Sequence, residues 1–177
     1  MIYYFILLLV SIPKIDKEIT LKIMSLKKYH YFSHQFSDYI IVFNIVVNLM
    51  LLFNISLYKL FFRYFVEHFI INFLFKMLLD RPRPKESLIK HPNRYKSIFD
   101  IRLSNNININ KSFPSGHIST LYLTSLLLLY NNYFCIYLLY LFIIFITIFA
   151  RINSGNHHIS DCLWALFICQ QFKNYLH

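Results

Sequence analysis

Apolar residues along this chain come in runs of membrane length, and the polar residues between them are gathered rather than scattered. Residues 39–58 carry no formal charge over twenty positions. At about 1.5 Å of rise per residue, a helix of that length reaches about 30 Å, the hydrocarbon thickness of a bilayer. Residues 60–79 form a second apolar stretch, interrupted by Arg63, Glu67, His68 and Lys76. Arg63 and Glu67 lie four apart, so on a helix they neutralise each other on one face. A tight turn around Lys59 is expected between these spans. Residues 117–130 predict a third helix, led in by the turn Pro114-Ser115-Gly116 and broken by Asn131-Asn132. Residues 133–150 predict a fourth, ending at Arg151. A polar turn over 152–158 leads to a last, shorter helix from about residue 160 to 172.

The remaining segments are polar or short. Residues 1–10 are apolar but too few to span a bilayer, and they lack the basic start of a signal peptide. Residues 11–38 carry Lys14, Lys17, Lys22, Lys27 and Lys28 and read as a loop or interfacial segment lying on headgroups. Residues 80–111 form a long polar loop with Pro82, Pro84, Pro92 and eight Lys/Arg. The prolines end the preceding helix. The chain thus divides into an apolar stub with a basic interfacial segment, 1–38, and a helical domain, 39–177. The fold class is all-α: an integral, multi-pass transmembrane bundle of about four to six membrane helices.

Composition agrees with that picture. The chain is 57% hydrophobic and 15% charged, where soluble domains run at about 45–50% and 25%. Mean hydropathy is +0.47. The net charge of +10 invites a nucleic-acid reading, since phosphate contacts dominate such binding. The basic residues flank apolar runs, however, and anionic lipid headgroups are the better partner. No nucleic-acid partner is expected. Cys135, Cys162 and Cys169 have no C-x-x-C spacing and read as small apolar residues.

Three polar blocks carry the candidate chemistry. Lys76 and Arg83-Pro84 lie at the exit of one span, Pro114-Ser115-Gly116-His117 opens the next, and Arg151, His157 and Asp161 join the last two. With spans that alternate in direction, all three blocks reach one membrane face. Ionisable groups are costly near lipid and mark functional sites there. Arginine presents a planar fork suited to phosphate oxygens. The Ser115 and Gly116 amides precede a helix and suit an anion at its positive end, and the bare Gly116 permits close approach. Histidines supply acid–base and nucleophilic capacity near neutral pH. His157 and Asp161 are four apart, so a carboxylate bonded to one ring nitrogen would leave the other to attack.

These blocks resemble the signature of the type 2 phosphatidic acid phosphatase and vanadium haloperoxidase superfamily, K-x6-R-P, then P-S-G-H, then S-R-x5-H-x3-D. Lys76 is followed by six residues and Arg83-Pro84, Pro114–His117 match in full, and Arg151, His157 and Asp161 keep their spacing. Gly155 is also a usual family residue. The resemblance covers about residues 60–172. It implies a metal-independent, cofactor-free membrane phosphatase acting on phosphatidic acid or a related lipid phosphate or pyrophosphate. His157 would form a phosphohistidine, Asp161 would orient it, and His117 would protonate the leaving alcohol. Lys76, Arg83, Ser115, Gly116 and Arg151 would hold the phosphoryl oxygens. Two positions depart from the pattern: Ala150 replaces the serine, and Ile159 stands where proline is common.

Other readings compete at the same residues. His157, His158 and Asp161 have a spacing that suits metal ligation. A shift of register would make His158 the reactive histidine. The chain could also be an inactive membrane structural or interaction protein of the same fold, or a lipid phosphotransferase using the same residues.

Overall fold

The computed structural model describes residues 11–79, 81–84 and 111–176. The apolar stub at 1–10 and most of the loop expected over 80–111 lie outside the described residues. Every regular element among them is helical, with no strand.

Helix α1 is Pro13–Met24, with proline at its start, where the amide has no helical partner anyway. A 3₁₀ turn, Lys27–Tyr29, leads into α2, His30–Leu51. Helix α3, Leu57–Tyr64, runs on without a break as a π-helical stretch, Phe65–Phe75, and a last α turn, α4, Lys76–Leu78. Helix α5 is Gly116–Tyr130, α6 is Phe134–Asn153 and α7 is Ile159–Gln171.

Two expectations are corrected here. The segment over 11–38 is not a loop but α1 and the first turns of α2. The first long helix occupies His30–Leu51 rather than 39–58, and the turn after it lies at residues 52–56 rather than at Lys59. By length and composition, two helices among the described residues can cross a membrane, Lys27–Leu51 and Phe134–Asn153; Gly116–Tyr130 is apolar but shorter.

Helix α5 is the axis of the bundle and packs against α2, α3, the π stretch, α6 and α7. Its residues from Ile118 to Leu121 and from Leu123 to Leu128 are buried. Helix α6 in turn holds α1 and α2. The interior is unusually polar. Tyr140 donates to Asn44 Oδ1 at 3.0 Å, Asn48 to Thr124 Oγ1 at 3.3 Å, and Ser33 to Asn153 Oδ1 at 2.9 Å. Arg63, 1% exposed, pairs with Glu67 at 3.1 Å as its spacing predicts, and Glu67 also accepts from Thr120 on α5. Meanwhile Phe53, Leu57, Phe61 and Phe145 face outward.

Candidate active site

The three polar blocks meet where α5 and α7 begin. Ser112 makes the first join: its N–H donates to the Arg81 carbonyl at 2.8 Å, and its hydroxyl lies 3.2 Å from the Arg81 and Pro82 carbonyls. Ser115 makes the second, its N–H donating to the Asp161 carbonyl at 3.2 Å. The expectation that the Ser115 amide serves a bound anion is therefore corrected, because α7 already takes it. Gly116 is explained by packing rather than by ligand access alone. A Cβ there would lie 2.5 Å from Asn72 Oδ1 on the π stretch.

The spacing from Arg151 to His157 follows from how α6 ends. Gly155 has φ 66°, a left-handed conformation that glycine adopts without a Cβ penalty. Its N–H bonds to the Ile152 carbonyl at 2.9 Å and that of Asn156 to the Arg151 carbonyl at 3.1 Å, the paired bonds of a Schellman motif. The His157 N–H also reaches the Arg151 carbonyl, at 3.2 Å. The chain thus folds back over Arg151, whose Nη2 lies 3.3 Å from His157 Nε2.

His157 sits before the first turn of α7, not on it. Its Nδ1 lies 2.6 Å from the Ser112 carbonyl oxygen and 4.0 Å from Asp161 Oδ2. A carbonyl only accepts, so Nδ1 carries the proton and Nε2 keeps its lone pair. The orienting hydrogen bond expected from Asp161 comes instead from the Ser112 backbone. Asp161 caps its own helix, Oδ2 accepting the His158 N–H at 2.8 Å. Burial, then the charges of Arg151, Arg83 and Lys76, push the His157 imidazole well below the usual histidine range. The three expected cations therefore act on this ring, which stays neutral, the form able to attack.

Arg83 donates to Asn156 Oδ1 at 3.4 Å, which ties the first block to the turn before His157. His117 Nε2 and Ser115 Oγ are buried without a hydrogen-bond partner among the described residues. Leaving such atoms unpaired costs about 1–3 kcal/mol each. A phosphoryl group among these cations would satisfy both.

His158 turns elsewhere: its Nδ1 lies 3.9 Å from Asp16 Oδ2. His157, His158 and Asp161 therefore do not converge as ligands, and no group of three His, Cys, Asp or Glu placed to hold a metal occurs among the described residues.

Two groups were not anticipated from sequence, the buried Asp16 and the half-buried Arg81. Arg81 Nη1 donates to Asp161 Oδ1 at 2.6 Å and to Ser160 Oγ at 2.7 Å, and its Nη2 pairs with Asp16.

The profile of the PAP2 superfamily matches residues 56–172, from the start of α3 to the end of α7. No curated protein and no solved structure matches the chain.

Proposed function

The chain belongs to the PAP2 superfamily, a family of phosphatase type, and from that premise we propose that it is a multi-pass membrane phosphatase for a lipid phosphate, phosphatidic acid being the first candidate. One observation carries this reading: a neutral histidine, its free Nε2 against Arg151, lies within the field of two further cations and near a second histidine.

In this mechanism Lys76, Arg83 and Arg151 hold the phosphoryl oxygens and offset the charge that develops on them. The lone pair on His157 Nε2 forms the N–P bond as the ester P–O bond breaks. His117 takes up a proton as the phosphate dianion binds and offsets the cations around it, and the leaving alkoxide takes that proton. Water then attacks phosphorus, the N–P bond breaks, and the water proton passes to His117. Inorganic phosphate leaves and both histidines are restored. Asp161 sets the start of α7 and adds a negative charge beside the ring.

The distribution of polarity supports the membrane placement. Arg63, Glu67, Asn44, Asn48 and Thr124 are inside, while phenylalanines and leucines face out. Polar and ionised groups paired inside, beneath an apolar outer face, suit a bundle solvated by lipid. The lipid chain would then stay in the bilayer while its phosphate enters among the cations.

The test is phosphate release from phosphatidic acid in mixed micelles containing a chelator. The proposal expects release by the parent protein and none by His157→Ala; equal rates from both would sink it. The buried Ala150, where the family pattern has serine, favours a second reading, an inactive membrane protein of the same fold. That reading expects no release from any lipid phosphate or pyrophosphate.

A further inference from the structure

Helix α1 precedes the matched region, yet it reaches the heart of the site. Its buried stripe is Asp16, Thr20 and Met24, one residue per turn. Asp16 Oδ1 accepts the Ser160 N–H at 3.1 Å, and its Oδ2 accepts the Ser160 hydroxyl at 2.6 Å. Thr20 Oγ1 faces the Ile159 N–H at 3.4 Å. The first amides of a helix have no partner within it and must find one elsewhere. Here those of Ile159 and Ser160 find theirs on another helix, while that of His158 is taken by Asp161.

Arg81 lies between the two carboxylates, paired to Asp16 through Nη2 and to Asp161 through Nη1. Asp16 is 1% exposed and Asp161 0%, so neither charge is left to solvent. Arg81 also sits next to Pro82, whose carbonyl and its own are held by Ser112, the residue that fixes the His157 ring. One guanidinium therefore ties α1, the segment carrying Arg83, and the helix carrying Asp161.

We propose that Asp16 and Arg81 are positioning residues: Asp16, from a helix outside the matched region, holds Arg81 on Asp161 and so fixes the start of α7 and the His157 ring in front of it. Neither residue touches the phosphate. Both buried carboxylates are occupied by Arg81 and by amides, which leaves the His157 Nδ1 proton to Ser112. This inference rests on the proposed hydrolase reading for its kinetic test alone.

The experiment compares Asp16→Asn, Arg81→Gln and the double variant in detergent micelles, with full-length protein and a short-chain phosphatidic acid. Displacing a reacting group by about 1 Å costs on the order of a hundredfold, and a loss of that size is expected in kcat with KM nearly unchanged. The double variant should lose no more than the worse single variant, since groups acting as one unit are not additive. Imidazole ¹⁵N shifts of His157 form a second arm that needs no turnover. They should report the Nδ1–H tautomer in the parent and a shifted Nδ1 resonance in Asp16→Asn, as the hydrogen bond to the Ser112 carbonyl lengthens. A rise in KM at constant kcat, additive losses, or unchanged ring shifts in Asp16→Asn would each overturn the proposal. A parent without activity but with the expected ring shifts would count against the hydrolase reading and for the bridge. Should Arg81→Gln fail to fold, Asp16→Asn alone retains both readouts, because its amide oxygen still accepts the Ser160 N–H.

Discussion

His157 gives its Nδ1 proton to the carbonyl oxygen of Ser112, 2.6 Å away, while the Asp161 carboxylate stays at 4.0 Å. The tautomer is thus set by backbone. In a serine-protease triad, where a carboxylate sets it, the aspartate-to-asparagine change costs about 10⁴ in kcat. Here Asp161→Asn should preserve the tautomer and lose only on the order of a hundredfold, through displacement of α7. Steady-state kinetics decide this, and a loss near 10⁴ would make the carboxylate the orienting partner after all.

The acid limb of kcat/KM follows from the same ring. Attack requires neutral imidazole, and burial with three nearby cations holds His157 well below its ordinary value near 6.5. Activity of the free protein should therefore persist as pH falls through 6.5 and decline only below it. A pH–rate profile that falls through 6.5 or higher would contradict the environment described.

His158 makes a separate contribution to stability. Burial first, then Arg81, lower it from 6.5 to about 4. The folded state therefore binds this proton less readily than the unfolded chain. Its contribution is complete above about pH 6.5 and is lost as pH falls through about 4. Thermal unfolding in detergent should show parent and His158→Gln diverging across that window, the parent losing more on acidification. Parallel curves would refute this.

Gly155→Ala forces a Cβ into the left-handed region at φ 66°, a cost of about 1–2 kcal/mol. The Schellman turn that carries His157 over Arg151 should distort, so the variant loses both melting temperature and kcat. Gly155→Asn should lose less of each. A variant with unchanged kcat would mean the turn does not hold the ring.

Glu67→Ala strands Arg63 in the interior, where it is 1% exposed. Removing one partner of a buried pair costs about 3–5 kcal/mol. Replacing both residues by methionine and leucine should cost far less. Denaturant titration of the two variants in micelles separates the outcomes.

Sequence reading located the three polar blocks because their spacing reflects helix ends. The start of α7 lies within one residue of expectation, and Arg63–Glu67 pairs as its interval requires. Asp16 escaped notice because α1 buries Asp16 and Thr20 against the amides of α7, and an apolar-period search sees no stripe there. The start of α2 was missed for a related reason. Its buried face opens with Ser33 and Ser37, while the apolar run begins later, at Tyr39. Ser112 acts on His157 through its carbonyl, which every residue has, so no side-chain motif could single it out. Long-range polar contacts of this kind are fixed by tertiary packing.

The π stretch Phe65–Phe75 carries Glu67 in its first turn and lies between Arg63 and Lys76 along a single rod. Its looser i→i+5 winding sets the azimuth at which Lys76 leaves that rod. In α geometry one residue turns a helix by about 100°. A one-residue deletion that relaxed the stretch to α would swing Lys76 round the axis relative to the segment below. The stretch works as a vernier between the anchored lower half of the rod and its reactive tip. Point substitutions on its exposed face, at Phe69 or Phe73, are therefore far better tolerated than any change in its length.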